Sequence, residues 1–96
     1  MTNISKSNPS IIVNKINECQ YKVEVNRNSH TIHEVTLNED AYIKISKNLV
    51  TPEKLIYLSF VFLLEHESNQ SILSKFNLEI IQTYFPEYSN EIKNYF

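Results

Sequence analysis

The sequence contains no glycine, and this absence excludes several kinds of enzyme site. A P-loop, a dinucleotide-binding turn, a nucleophile elbow and a glycine-dependent calcium loop each require glycine, because a side chain would block the ligand or the turn. Cys19 is the only cysteine, which rules out an intramolecular disulfide, a four-cysteine zinc site and a Cys-x-x-Cys redox pair. These counts favour a reducing compartment.

Charge and hydropathy limit the partners that the chain can have. Nine basic residues against eleven acidic ones give a formal charge of −2, so no global basic field attracts nucleic acid. The longest apolar run, Leu55 to Leu64, is interrupted by Ser59 and is shorter than the roughly 20 residues of a membrane span. Residues 1–10 are polar and do not resemble a signal peptide. We expect a cytoplasmic protein with no cofactor and no membrane partner, in which any binding of nucleic acid would require a local basic patch.

The 96 residues leave room for one domain. We expect a flexible leader over residues 1–10, a single domain over residues 11–88 and an aromatic tail over residues 89–96. The order of the predicted elements is strands first and helices afterwards, which is typical of an α+β fold.

Three strands are predicted in the N-terminal half. Apolar residues are concentrated in 11–16, they alternate with polar residues in 19–25, and a third strand follows over 31–37. We expect an antiparallel meander. In the turn at 26–29, asparagine is predicted to take the positive φ that glycine would otherwise supply.

Helices are predicted after Asn38, which can cap a short first helix. The inner face of that helix is expected to consist of Ala41, Tyr42, Ile45 and Leu49. Threonine, proline and glutamate at 51–53 mark the start of a second helix that runs to about Glu67.

The second helix is predicted to be long and apolar around almost its whole circumference, so it needs cover on more than one side. We expect this cover to come from the C-terminal segment and from a second copy of the chain, which makes a homodimer. Short helices are predicted over 71–76 and from Asn77 to Phe85, where Pro86 ends the second one.

Few residues are candidates for catalysis or metal binding. His30 and His33 are three residues apart in a predicted strand, so they point to opposite faces and cannot share a metal ion unless the strand bulges. His66 lies between two glutamates, but neighbouring residues of a helix do not converge on one atom. Cys19 belongs to an alternating apolar set, which indicates a buried thiol. We therefore expect no enzyme and no catalytic, cofactor or metal site.

Aromatic residues near the C-terminus indicate a surface for a partner instead. An apolar residue of the central helix and the aromatic residues that follow are the candidates for this surface: Phe62, Tyr84, Phe85, Tyr88, Tyr95 and Phe96.

Two resemblances bear on function. The order strand, short helix, turn and longer helix from Ile32 to Glu67 resembles a ribbon-helix-helix unit, in which strands from two chains pair and enter the DNA major groove. A second set of residues, between about 33 and 88, resembles a family of small uncharacterised bacterial proteins. They are His33, Val35, Leu37, Pro52-Glu53, Ser59-Phe60, Phe62-Leu63-Leu64-Glu65, Glu67, Ser71-Ile72-Leu73, Phe76, Leu78, Ile81 and Tyr84-Phe85-Pro86-Glu87-Tyr88. This second resemblance implies a bacterial cytoplasmic protein and carries no site.

The sequence thus predicts a small non-enzymatic protein for dimerisation or for interaction with a protein partner. The alternative is a DNA-binding regulator or antitoxin of the ribbon-helix-helix type.

Overall fold

The computed structural model describes residues 10–96 and has an α+β fold: a four-stranded sheet, whose first three strands are antiparallel, and helices that follow them. The expected leader lies outside the described residues apart from Ser10, which begins the first strand. The strands are β1 (Ser10–Lys15), β2 (Gln20–Asn26), β3 (His30–Thr36) and β4 (Lys75–Asn77). The helices are α1 (Glu39–Ser46), α2 (Pro52–His66), α3 (Ile81–Tyr84) and α4 (Tyr88–Glu91).

The sheet has the order β1-β2-β3-β4, with β4 parallel to β3. Val23 lies opposite Val13 on one side and opposite His33 on the other, and Val35 lies opposite Phe76. Because side chains alternate along a strand, these residues share one face of the sheet. That face is the buried one and packs against α2. The predicted antiparallel meander is confirmed.

The turn between β2 and β3 differs from the prediction. Residues 27–29 close the hairpin with a hydrogen bond from the Arg27 N–H to the Ser29 carbonyl, 3.1 Å long. Within residues 10–96, positive φ occurs only at Lys47 and Asn48. The asparagines of the hairpin therefore keep negative φ, and the prediction of positive φ there was wrong.

Helix α1 begins as predicted, because the Asn38 Oδ1 accepts a hydrogen bond from the Ala41 N–H at 2.9 Å. It ends earlier than its apolar pattern suggests. Lys47 takes the left-handed conformation with φ 55° and closes the last turn. Ala41 and Ile45 are buried, but Leu49 lies beyond the helix and is 69% exposed. Its assignment to the inner face was wrong.

Helix α2 begins at the predicted place, where the Thr51 Oγ1 accepts a hydrogen bond from the Lys54 N–H at 3.1 Å. It ends at His66. Its buried residues are Leu55, Ile56, Leu58, Ser59, Phe60, Phe62, Leu63 and Leu64. Lys54, Glu65 and His66 are exposed, so α2 also has a polar, solvent-facing side. Among residues 10–96, no helix has both the length and the hydropathy that crossing a membrane requires.

The segment after α2 contains a strand that the sequence did not predict. In place of a helix over 71–76, a 3₁₀ turn at Asn69–Ser71 leads into β4. Phe76 is buried, while its neighbours Lys75 and Asn77 are exposed, which is the alternation of a strand. The Glu34 N–H donates to the Ser74 carbonyl at 2.8 Å and ties this segment to β3.

The C-terminal residues form a second cover for α2. A 3₁₀ turn at Leu78–Ile80 leads into α3, and a further 3₁₀ turn at Ile92–Tyr95 continues α4. Tyr88 and Ile92 are completely buried and belong to the same core cluster as Phe62. The expected aromatic tail is therefore helical and packs against α2, so the chain covers this helix from two sides.

Candidate functional site

A mostly apolar cleft of about 380 Å³ opens beside the C-terminal end of α2. This volume lies within the range of roughly 300–1,000 Å³ that is typical of ligand sites. The cleft is formed by residues from α2, the following loop, β4 and α3: Leu63, Glu67, Ser71, Ile72, Leu73, Phe76, Ile80, Ile81, Tyr84 and Phe85.

One wall of the cleft, the loop from Ser68 to Ser74, is anchored to the β2–β3 hairpin. The Asn69 side-chain amide is buried and donates to the Ser29 carbonyl at 3.0 Å and to the Thr31 Oγ1 at 2.9 Å. Buried polar groups of this kind are costly to leave unpaired. The loop is therefore held in place by the sheet rather than by its own apolar contacts alone.

His33 completes this anchor. Its Nδ1 lies 2.7 Å from the Leu73 carbonyl, which can only accept, so the imidazole carries its proton on Nδ1. In the neutral imidazole, the Nε2 accepts from the Thr31 hydroxyl at 2.9 Å. With its ring 5.4 Å from that of Phe60, His33 is a buried structural histidine. His30 is exposed on the other face, as the alternation predicts.

The rim of the cleft consists of apolar side chains that remain in contact with solvent. Leu73 is 46% exposed on the loop side, and Tyr84 is 62% exposed at the end of α3. Ile72, Phe76 and Ile81 are buried and belong to the core. An apolar group that entered the cleft would contact this buried layer and cover the two exposed side chains at the rim.

Glu67 is the one carboxylate among the residues that line the cleft. It follows the last residue of α2, and its backbone N–H donates to the Leu63 carbonyl at 2.9 Å. The side chain is half-buried, and within residues 10–96 no hydrogen bond or ion pair reaches its carboxylate. Burial raises the pKa of Glu67, and the neighbouring His66 opposes this effect.

The predicted partner surface divides into buried and exposed residues. Phe62 and Tyr88 have no exposed surface in the chain, with their ring centroids 5.3 Å apart. Phe85 and Tyr95 are half-buried and meet Phe62 edge-on at 5.9 Å and 6.5 Å. Phe62 and Tyr88 therefore form the interior of an aromatic cluster rather than a surface.

The other predicted residues remain accessible to different degrees. Phe96 is half-buried and packs against the core, whereas Tyr84 is the most exposed of the six. Only Tyr84 and Phe85 line the cleft.

Two tyrosine hydroxyls hold the C-terminal residues on α2. The Tyr88 hydroxyl lies 2.6 Å from the Ser59 Oγ, which in turn donates to the Leu55 carbonyl at 2.8 Å. The Tyr95 hydroxyl donates to the Glu65 carboxylate. Burial raises the pKa of Tyr88 to about 12. For Tyr95 the pKa is also raised to about 12, first by burial and then by the hydrogen bond to Glu65.

The residues considered for catalysis are not brought together. Cys19 precedes Gln20, which lies opposite Thr36, whereas His33 lies opposite Val23 in the middle of the sheet. The His66 ring packs at a tilt against Phe62 and Phe85, with centroids 4.5 Å and 5.1 Å away. In the described part of the chain, no group of three or more histidine, cysteine or acidic residues is placed to hold a metal ion.

Comparisons with protein-family models, with curated proteins and with solved structures found no match to the chain. Both resemblances seen in the sequence remain predictions. Sequence reasoning named Tyr84 and Phe85 as surface residues but missed the rest of the cleft. Leu73 and Phe76 were assigned to a helix, and the alternation around Phe76 was the signal that could have corrected this.

Proposed function

We propose that the protein is a non-enzymatic interaction protein and that its cleft receives apolar side chains of a partner protein. The observation that carries this proposal is the exposure of Leu73 and Tyr84 above an apolar floor. Tyrosine is enriched among the few residues that supply most of the binding energy of protein interfaces, and these residues cluster in well-packed pockets near the interface centre. We keep the bacterial cytoplasmic location expected from the sequence.

A partner protein is favoured over dimerisation through α2. The dimer was expected because α2 needed cover that a three-stranded sheet cannot supply. In the folded chain that cover comes from the C-terminal elements, and Phe62, Tyr88 and Ile92 are completely buried. A second copy is therefore not required for the stability of α2.

The DNA-binding alternative has no supporting observation. A ribbon-helix-helix dimer pairs the strand before the two helices with the same strand of a second chain. The corresponding strand here is β3, and it already lies between β2 and β4.

Peptide binding tests the proposal. Short random peptides displayed on phage are selected on the wild-type chain, and the affinities of synthetic copies are then measured by calorimetry for variants. We expect Leu73→Ser and Tyr84→Ser each to weaken binding about ten-fold, equivalent to ~1.4 kcal/mol. Leu49→Ser is the matched control, because Leu49 is exposed but lies outside the cleft, and it is expected to change affinity less than two-fold.

Circular dichroism shows whether each variant keeps the fold. Selection that yields no binding peptide, or peptides that bind the two cleft variants as tightly as the wild-type chain, would overturn the proposal. A duplex DNA in a parallel titration tests the alternative, which requires binding that weakens steeply with salt.

A further inference from the structure

The acidic side chain of Glu67 limits which partners can bind in the cleft. Glu67 is half-buried next to Leu63 and Ile72, and its carboxylate makes no hydrogen bond or ion pair with residues 10–96. An apolar ligand without a compensating group would remove water from this carboxylate and leave it unpaired. Such burial costs free energy.

The half of the chain that contains the cleft residues has a negative formal charge in addition to Glu67. Residues 51–96 contain three lysines, no arginine and six glutamates, a formal charge of −3, whereas residues 1–50 carry a formal charge of +1. Glu79 and Glu87 lie within two residues of the cleft residues Ile80 and Phe85. The half of the chain that forms the cleft is therefore acidic.

Two basic groups, Arg27 and His66, line a second cavity that Glu67 also borders, but neither forms an ion pair with the Glu67 carboxylate. Lys75 neighbours Phe76 in β4, so its side chain lies on the opposite, outer face of the sheet, across from Glu34. Arg27, the only arginine, donates from Nη1 to the Leu64 carbonyl at 3.0 Å. The His66 ring packs between Phe62 and Phe85. None of these groups is paired with the Glu67 carboxylate.

We propose that the cleft selects a partner segment that places a lysine or arginine beside Glu67 while its apolar residues fill the cleft. This inference rests on the proposed function and specifies the chemistry of the partner. Burial raises the pKa of Glu67 more than the neighbouring His66 lowers it, and within residues 10–96 no ion pair reaches the carboxylate. A cationic group would offset the loss of solvent, whereas a neutral or acidic group would leave like or unpaired charge in the interface.

The experiment uses the same displayed peptides, selected in parallel on the wild-type chain, on Glu67→Gln and on Glu53→Gln. Glu53 is the matched control, because it lies on α2 at the end opposite Glu67 and outside the cleft. For one synthetic peptide, a second version replaces its basic residue by norleucine, which keeps the apolar stem and removes the charge.

We expect lysine and arginine to be enriched beside apolar residues in peptides selected on the wild-type chain and on Glu53→Gln, but not on Glu67→Gln. The norleucine version should bind the wild-type chain about five-fold more weakly, a loss of ~1 kcal/mol. On Glu67→Gln, the two versions should bind within two-fold of each other.

The outcomes separate the two proposals. Peptides that bind in the cleft with no basic preference, with an acidic preference, or with the same norleucine penalty on Glu67→Gln would overturn this inference and leave the interaction function standing. Failure to select any cleft-binding peptide would overturn the proposed function itself.

Discussion

Lys47 and Asn48, in the turn after α1, have positive φ values of 55° and 62°. In most proteins glycine occupies the first of these positions, because a side chain in the left-handed region costs about 1 kcal/mol. This chain has no glycine, so a lysine closes the helix. The turn therefore contains backbone strain that a substitution can remove.

Lys47→Gly is expected to raise the free energy of unfolding by about 0.5–1 kcal/mol, because relief of the strain outweighs the greater entropy of glycine in the unfolded chain. Lys44→Gly is the control, since Lys44 lies inside α1, and it should lower stability by about 1 kcal/mol. Urea unfolding measures both. A loss of stability at Lys47 would show that the turn does not carry this strain.

Tyr88 and Ser59 form the one tyrosine–serine hydroxyl pair that is buried within residues 10–96. The pKa of Tyr88 is raised from about 10 to about 12, so the folded state holds the proton more tightly than the unfolded state. Its contribution to stability is therefore complete below pH 10 and is lost as the pH rises from 10 towards 12.

Tyr88→Phe should lower the free energy of unfolding by about 1 kcal/mol at pH 8, because one hydrogen bond is lost while Ser59 still donates to Leu55. Between pH 10 and pH 11.5 the difference from the wild-type chain should shrink and then change sign, since phenylalanine cannot ionise. Denaturant unfolding across this range measures the difference. A difference that does not vary with pH would contradict the raised pKa.

At the level of secondary structure, local signals determined which elements could be predicted. Strand β2 and helix α2 both form where expected, because their signals lie within a few residues: the alternation in β2, and the threonine, proline and glutamate at 51–53. β4 has only three residues and depends on pairing with β3, about forty residues earlier in the chain. Such long-range pairing is not encoded in the local sequence pattern, which favours a helix over 71–76.

The candidate site was harder to predict for the same reason. Tyr84 and Phe85 could be recognised because they lie at the end of a predicted helix, just before Pro86. The cleft itself forms only because β4 and α3 pack beside the end of α2. The hydrogen bond of His33 with the loop and that of Asn69 with Thr31 also join residues far apart in the sequence. Neither contact has a sequence motif.

The docking of α4 and the C-terminal 3₁₀ turn on α2 depends on Ile92, which is completely buried. Ile92→Ala is expected to lower the free energy of unfolding by about 2–4 kcal/mol, because it removes buried methyl groups and leaves a cavity. Lys93→Ala is the neighbouring exposed control and should change stability by less than about 0.5 kcal/mol. Equal, small effects from both variants would show that this segment is not docked.

Considered as a whole, the chain encloses a single core between the sheet and its C-terminal elements. Apolar side chains are also exposed outside the cleft: Ile12 and Ile32 lie on the outer face of the sheet on either side of Glu24, and Leu49 follows α1. Leu73 and Tyr84 differ from these because they border the same cleft.

Because the core is enclosed within one chain, we expect the protein to be a monomer in solution. Light scattering coupled to size exclusion should give the mass of one chain, 11.3 kDa, at low micromolar concentration and at both low and high salt. A dimer that Tyr84→Ser or Leu73→Ser dissociates would show that a second copy occupies the cleft. A dimer that neither variant affects would place an interface elsewhere.

The cleft beside α2 is the surface that we propose binds a partner protein. Nuclear magnetic resonance of a chain with labelled isoleucine and leucine methyl groups tests this proposal most directly, with the selected peptide as the titrant. Binding in the cleft should give concentration-dependent shifts at Leu63, Ile72, Leu73, Ile80 and Ile81, with no change at Ile12, Ile32 and Leu49. Shifts confined to the second set would contradict the proposal, since the partner would then bind the sheet face or the turn after α1 instead.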